Sequence, residues 1–254
     1  MELIVLGAGP AYTDRLGSAG AAYLLRSGET TILLDLGQGA FPRLMTSVEP
    51  AHLAAVFISH LHPDHFIDLV PLRHYLRYQL PSPGHVRIVG PAGLADRLDA
   101  LHGQPGFCAE ALDVEPFPAG PAVLRVGPFQ VDVREVTHSG DSHAFRIATG
   151  AGTGLVYSGD CAFAEDLAPL VHPGDTLLVE VSFGSGPVPS GAMHLDAPMV
   201  ADLVRRTGPA RVLLTHVLAG FDRAAAVQRV QYGYAGLVEL VEPGFRAIIG
   251  SPES

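Results

Sequence analysis

The sequence predicts an α/β protein, an αββα sandwich of two mixed β-sheets with helices outside. Three observations predict it. Strand-rich stretches alternate with helical ones along the chain. The runs Val56-Phe57-Ile58-Ser59-His60 and Val212-Leu213-Leu214-Thr215-His216 match in pattern, and Leu33-Leu34-Asp35-Leu36-Gly37 loosely matches Val156-Tyr157-Ser158-Gly159-Asp160, as two related halves would. No linker or low-complexity segment divides the 254 residues, so residues 1–254 read as one domain with ample core.

The elements follow in order. Residues 3–6, 21–26 and 30–34 read as early strands. Residues 38–46 read as a helix, and the apolar run 54–58 as a buried strand. Residues 66–78 place Ile67, Leu69, Val70, Leu72 and Leu76 at helical spacing, with a Pro-rich stop after them. Residues 86–89 read as a short strand and 92–101 as a helix. Strands dominate from 112 to 157. Residues 196–207, 212–215 and 222–232 give helix, strand, helix, and 237–241 and 245–249 close the chain as strands. Gly7-Ala8-Gly9 is not a dinucleotide fingerprint, because Tyr12 stands where the third glycine should be.

His60-Leu61-His62-Pro63-Asp64-His65 carries the chemistry. Three imidazoles and a carboxylate stand in six residues, directly after a buried strand. His60 and His62 are two apart, so an extended or tightly looped backbone can aim both rings one way. Imidazole and carboxylate are the ligands a catalytic zinc takes when it keeps a position open for water. Further ligands are sought at other strand ends: His138 after 129–137, Asp160 after 154–159, and His216 after 210–215. A lone His or Asp at a strand end is more often a cap or a satisfied core residue. Together with the hexad, these supply five histidines and two aspartates, enough for two metals sharing a carboxylate.

The hexad, Val136-Thr137-His138-Ser139-Gly140, Tyr157-Ser158-Gly159-Asp160-Cys161 and Leu213-Leu214-Thr215-His216-Val217 resemble the ordered motifs of the metallo-β-lactamase-fold hydrolases. The resemblance spans nearly the whole chain. The opening Val5-Leu6-Gly7-Ala8-Gly9-Pro10 is similar to that of the ribonuclease Z branch. Glu180-Val181-Ser182-Phe183 and Ala192-Met193-His194-Leu195-Asp196-Ala197 resemble segments of its phosphodiesterase side.

The resemblance implies the αββα fold and assigns the ligands. His60, His62 and His138 would hold one divalent ion and Asp64, His65 and His216 the other, with Asp160 bridging. The ions would be Zn, with Mn or Fe suited to the same donors. Two such ions ~3.5–4 Å apart can share a water, lower its pKa toward ~7 and clamp the phosphoryl oxygens in line. Asp64 would double as base, His194 would protonate the leaving oxygen, and Glu180 would orient or protonate His194. The bland reading of His194 is a helix-entry residue, since Asp196 could cap the helix that follows. Asp35 is read as holding the hexad loop by hydrogen bonds. Of the other histidines, His74 and His143 are expected nearest the pocket, and Cys161 is read as a buried small hydrophobe.

Composition narrows the substrate. The formal charge is −10, from 16 basic and 26 acidic residues, and the basic residues are scattered. That argues against an extended polyanion as partner but leaves a phosphate at the metals open. The ribonuclease Z branch carries a long Gly/Pro-rich arm between its third and fourth motifs to grip transfer RNA. Here His138 and Asp160 are only 22 positions apart, filled by two expected strands and a Gly turn. The expected activity is therefore hydrolysis of small phosphodiesters, such as cyclic nucleotides or cyclic ribose phosphates. Alternatives are transfer-RNA 3′ processing, lactone or thioester hydrolysis, and, last, a non-catalytic binding protein.

No apolar run approaches the ~18 residues of a membrane span, and the first residues do not read as a secretory signal. With only Cys108 and Cys161, the reducing cytoplasm is the expected location. No membrane partner is expected, and a homodimer is left open.

Overall fold

A computed structural model describes residues 1–250, so the last four residues of the expected domain lie outside the described residues. Among the described residues, fourteen strands form two seven-stranded sheets. The first sheet holds β1 (Glu2–Gly7), β2 (Ala22–Ser27), β3 (Thr30–Leu34), β4 (Ala55–Phe57), β5 (Val86–Gly90) and β6 (Leu112–Pro116), with β14 (Arg246–Ile248) at its edge, in the order β14-β1-β2-β3-β4-β5-β6. The second holds β7 (Ala122–Val126), β8 (Phe129–Glu135), β9 (His143–Ala148), β10 (Leu155–Tyr157), β11 (Thr176–Glu180), β12 (Arg211–Thr215) and β13 (Leu237–Leu240), in the order β13-β12-β11-β10-β9-β8-β7.

Each sheet is mixed. β14 to β3 pair antiparallel and β3 to β6 parallel. β7 to β10 pair antiparallel and β10 to β13 parallel. Three apolar layers result. Tyr23, Leu34, Phe57, Phe145 and Tyr157 pack between the sheets. Leu44, Leu69, Leu72 and Leu98 fill the space outside the first sheet. Leu203, Val204, Ala226 and Val230 do so outside the second. The central strands are buried on both faces, which is why they read as continuous apolar runs rather than alternating ones.

The helices are α1 (Phe41–Ser47), α2 (Pro63–Phe66), α3 (Leu69–Tyr78), α4 (Leu94–His102), α5 (Ala164–Leu167), α6 (Ala197–Thr207) and α7 (Arg223–Gln231). Several expectations shift. The helix expected over 38–46 begins only at Phe41, because Gly39 turns the chain with φ +76. The single helix expected over 66–78 is two helices. Between them, Asp68 sits outside helical geometry at ψ 2, donates its N–H to Leu36 O, and accepts the Phe41 N–H on its side chain at 2.8 Å. The helix expected over 92–101 starts at Leu94, after a left-handed Gly93. β11, in the middle of the second sheet, and α5 were not among the expected elements.

The duplication also differs in detail. β3 and β10 do correspond, each being the strand where its sheet turns from antiparallel to parallel. The first parallel neighbour of β10 is β11, not β12, so the matching runs at β4 and β12 are not topological equivalents.

Candidate metal centre

Six strands, β3, β4, β8, β10, β11 and β12, each lead into a functional side chain at one edge of the sandwich. β3 delivers Asp35, β4 the hexad, β8 His138, β10 Asp160, β11 Glu180 and β12 His216. Ligand sites of open α/β sheets lie at such carboxyl ends. Two of these residues hold strained backbone: Asp35 at φ 56 and His216 at φ 61. Room for the hexad comes from glycine. A Cβ on Gly37 would stand 1.9 Å from the Asp64 carbonyl oxygen, so only a residue without one fits.

The seven expected ligands fall into two groups. His60, His62, His138 and Asp160 bring donor atoms within 4.8 Å of one another, and so do Asp64, His65, Asp160 and His216. Asp160 is common to both and fully enclosed. Its Oδ1 is 3.3 Å from His65 Nε2, and its Oδ2 is 3.7 Å from His60 Nε2. Burial alone would raise the Asp160 pKa, but His216, His65 and His60 outweigh it and hold the carboxyl well below its ordinary range.

Hydrogen bonds fix which imidazole nitrogen faces inward. Asp35 accepts from Ser59 N at 2.6 Å, Ser59 Oγ at 2.8 Å, Tyr157 Oη at 2.6 Å and His65 Nδ1 at 2.7 Å. Because the Ser59 hydroxyl spends its only proton on Asp35, it can only accept from His60 Nδ1, 3.1 Å away. His60 and His65 therefore both turn Nε2 inward. His138 donates Nδ1–H to Met193 O at 2.7 Å, leaving its Nε2 lone pair 3.2 Å from His62 Nδ1. Ser182 Oγ donates to Glu180, so His216 donates Nδ1–H to Ser182 at 3.0 Å, and its Nε2 lies 3.1 Å from Asp64 Oδ2.

This arrangement fits divalent cations. His60 Nε2, His65 Nε2 and Asp160 Oδ1 are buried without any hydrogen-bond partner. A native protein rarely leaves three such atoms orphaned. At Asp64 Oδ2 a carboxylate lone pair faces the Nε2 lone pair of His216, which only a cation or an added proton can reconcile. Burial opposes protonation of His65, yet Asp160 and Asp35 hold its pKa well above the ordinary value. A bound metal would take over that charge balance.

Beside the two groups, Glu180 accepts from Cys161 N at 2.9 Å, Ser182 N at 3.1 Å and His194 Nδ1 at 3.0 Å. The His194 side chain is 22% exposed, its ring 4.9 Å from that of His138 and 6.0 Å from that of His216. Burial disfavours its charged form. The hydrogen bond and charge of Glu180, joined by Asp160, outweigh that and push its pKa up to about 9. Asp196 caps α6 as well, accepting from Met199 N at 3.0 Å, so the helix entry and the His194 placement coexist.

One expectation fails here. His74 packs against Phe107, His102 and Tyr78 on α3, and donates to Val70 O, its own helix taking up the ring. His143 packs its ring against Phe117 and gives its backbone N–H to Ser59 O beside the hexad, without joining either ligand group. Cys161 is buried and its thiol donates to Phe163 O, outside both groups. Ser59, Ser182 and Tyr157 are functional residues that no motif announced. Their signal was position: each lies beside a carboxylate or ligand at a strand end.

The fold and this edge define the class. The chain belongs to the β-lactamase superfamily: the Beta-lactamase superfamily domain model matches residues 30–217. An uncharacterized protein of Mycobacterium leprae is 29% identical over 242 residues, covering 93% of this chain and 84% of that protein. The probable metallo-hydrolase YhfI of Bacillus subtilis is 26% identical over 208 residues, covering 78% and 80%. Its crystal structure superposes with a TM-score of 0.85, covering 97% of this chain and 99% of that one at 23% identity. The short form of human tRNase Z superposes with a TM-score of 0.74 at 21% identity, covering 98% and 99%.

Proposed function

We propose that this chain is a dinuclear metal-dependent phosphodiesterase acting on small phosphodiesters, such as cyclic nucleotides or cyclic ribose phosphates. The observation that carries the reading is the Glu180–His194 pair, 3.0 Å apart beside both ligand groups. A water-activating centre alone serves any hydrolysis. A protonated acid beside it serves reactions whose leaving oxygen departs poorly, as an alkoxide does.

His60, His62, His138 and Asp160 would hold one ion and Asp64, His65, His216 and Asp160 the other. When bound, the ions, Zn on this donor set, supply an acidified water and positive charge for the phosphoryl oxygens. Asp64 is kept ionised: burial opposes this, but His216, 3.1 Å away, and His65 outweigh it. It is placed to accept the proton of the attacking water. His194 donates its proton to the leaving oxygen, while Glu180 steadies the imidazolium through Nδ1. Asp35, Ser59 and Ser182 keep the rings in their tautomers.

Two observations favour small substrates over transfer RNA. Between His138 and Asp160 the chain forms only the tight β9–β10 pairing, Tyr157 opposite Phe145, with no room for an arm. The formal charge of −10 gives little pull on a polyanion. YhfI's description as a probable metallo-hydrolase agrees with the reaction class. No helix among the described residues is long and apolar enough to cross a membrane.

The test is a panel assay of metal-loaded protein on bis(p-nitrophenyl) phosphate, cyclic nucleotides, lactones, thioesters and a precursor transfer RNA. Turnover of the small diesters above all others is expected. Site-specific trimming of the precursor without diester cleavage, or preference for the acyl substrates, would overturn the proposal.

A further inference from the structure

An open cavity of about 290 Å³ lies on the same edge of the sandwich as the metal centre. It sits where β1, β12 and β13 end. Its lining includes Ala8, Ser18, Glu242 and three arginines, Arg15, Arg43 and Arg223. Two contacts tie it to the centre. Ala8 O accepts the backbone N–H of His216, and Arg15 reaches Val217 O, the carbonyl next in the chain, at 3.4 Å. We propose that this cavity is an anion subsite that binds a terminal phosphate group on the substrate, separate from the diester being cleaved.

The charge in the cavity is underused. Three guanidinium groups line the cavity with one carboxylate, Glu242, and Asp14 beside Arg15 adds a second. Glu242 takes Arg223 Nη1 at 2.6 Å, while Arg223 Nε is buried without a partner. Arg43 donates to Gly17 O and Arg15 to Val217 O, each leaving further N–H groups free. Burial and the charge of Arg223 both disfavour the Arg15 cation. Gathering like charges at a partly buried site costs free energy, and an anion between them would recover it. Forked guanidinium donors match the oxygens of a phosphate. The loop from Gly9 to Ala19 brings Arg15, α1 brings Arg43, and the first residue of α7 brings Arg223, so three separate parts of the chain converge.

The inference rests on the phosphodiester reading for the reaction, not for the cavity, and the test separates the two. The dinucleotide adenylyl-adenosine, with and without a 5′-terminal phosphate, is assayed on the metal-loaded enzyme, on Arg43→Gln and Arg223→Gln, and on Arg223→Lys. A preference in kcat/KM for the phosphorylated form, of about tenfold to a hundredfold, is expected from charge-assisted hydrogen bonds. That ratio should fall toward one in the glutamine variants, through KM rather than kcat, and recover in part in Arg223→Lys. A ratio near one in the wild type, or an unchanged ratio in the variants, would overturn the subsite. If neither dinucleotide is cleaved, the phosphodiester reading is judged by the substrate panel and the cavity by calorimetric titration with inorganic phosphate. Loss of one binding event in the folded Arg43→Gln, Arg223→Gln double variant supports it. Identical isotherms refute it.

Discussion

Glu180→Gln tests the proposed acid directly. Glu180 is fully buried, and its hydrogen bond and charge together are the main force raising His194 against the cost of burial, from the ordinary 6.5 to about 9. That rise corresponds to about 3 kcal/mol of preference for the imidazolium. An amide has nearly the same shape but no charge, so most of that preference is lost. An acid must be protonated to act, so activity falls as pH rises through its pKa. The alkaline limb of kcat should therefore move down by about 1–2 pH units in the variant. Bound cations lower both limbs alike, so the difference between the enzymes is the diagnostic quantity. The assay is kcat against pH for a diester with an alkoxide leaving group and for bis(p-nitrophenyl) phosphate, whose nitrophenolate departs unprotonated. Only the first should show the shifted limb. Coincident limbs in both enzymes would refute general-acid catalysis by His194.

The same substitution has a structural cost. The amide group of glutamine must face the N–H of either Cys161 or Ser182, leaving one buried donor unpaired, at about 1–3 kcal/mol. Melting and metal content are therefore read alongside. The linkage can be checked in metal-free protein. A folded-state pKa raised above the unfolded value gives stability that is fully present below about 6.5 and lost as pH rises through about 9. Wild-type stability should decline across that window, and Glu180→Gln should decline less.

Elemental analysis of purified protein should find two ions per chain, and chelation should lower the melting temperature by leaving the enclosed carboxylates and imidazoles of both groups unbalanced; a single ion would remove the dinuclear proposal. Asp35→Asn should weaken metal binding about 10–100-fold in competition with a chelator, because His65 loses the acceptor that fixes its ring; unchanged affinity would show that Asp35 does not orient the ligand. Gly37→Ala should push the Asp64 backbone out of place and abolish metal retention while leaving far-ultraviolet dichroism intact; a variant with full metal content would show that the hexad loop can yield.

Much of this site could be read in the sequence because its ligands end apolar runs, and a run followed by His or Asp is visible in one dimension. All seven expected ligands fall in two compact groups, with Glu180 and His194 alongside. What was missed has physical causes. β11 was not expected because Thr176-Leu177-Leu178-Val179 is a short run buried on both faces, and such a run has no alternation to mark it as a strand. The break at Asp68 comes from a tertiary contact, the Phe41 N–H, which helical periodicity cannot show. His74 was expected near the pocket, but Phe107 and His102 offer it a packing site that exists only in three dimensions. The arginine cavity joins positions 15, 43 and 223, and no spacing rule links them.

The serines explain how one plan yields two outcomes. At the end of β4, Ser59 gives its N–H and hydroxyl proton to Asp35 and is touched by His60 and His65 through Nδ1. Past β11, Ser182 gives its N–H and hydroxyl proton to Glu180 and is touched by His194 and His216 through Nδ1. Each serine is a proton-saturated hub that forces two imidazoles to turn Nε2 away from it. In the first hub both rings are sealed in, and both nitrogens point at Asp160. In the second, only His216 points at the ligand group, while His194 remains 22% exposed. The same carboxylate–serine device thus fixes ligands where it is enclosed and holds a charged imidazole at the cleft where it is open. Replacing Ser182 with Ala should therefore disturb catalysis and metal binding together, whereas Ser59→Ala should disturb metal binding alone in its direct contacts. Parallel measurement of metal affinity and of the leaving-group dependence of kcat in the two variants separates these roles. Identical profiles would mean that the two hubs are not specialised.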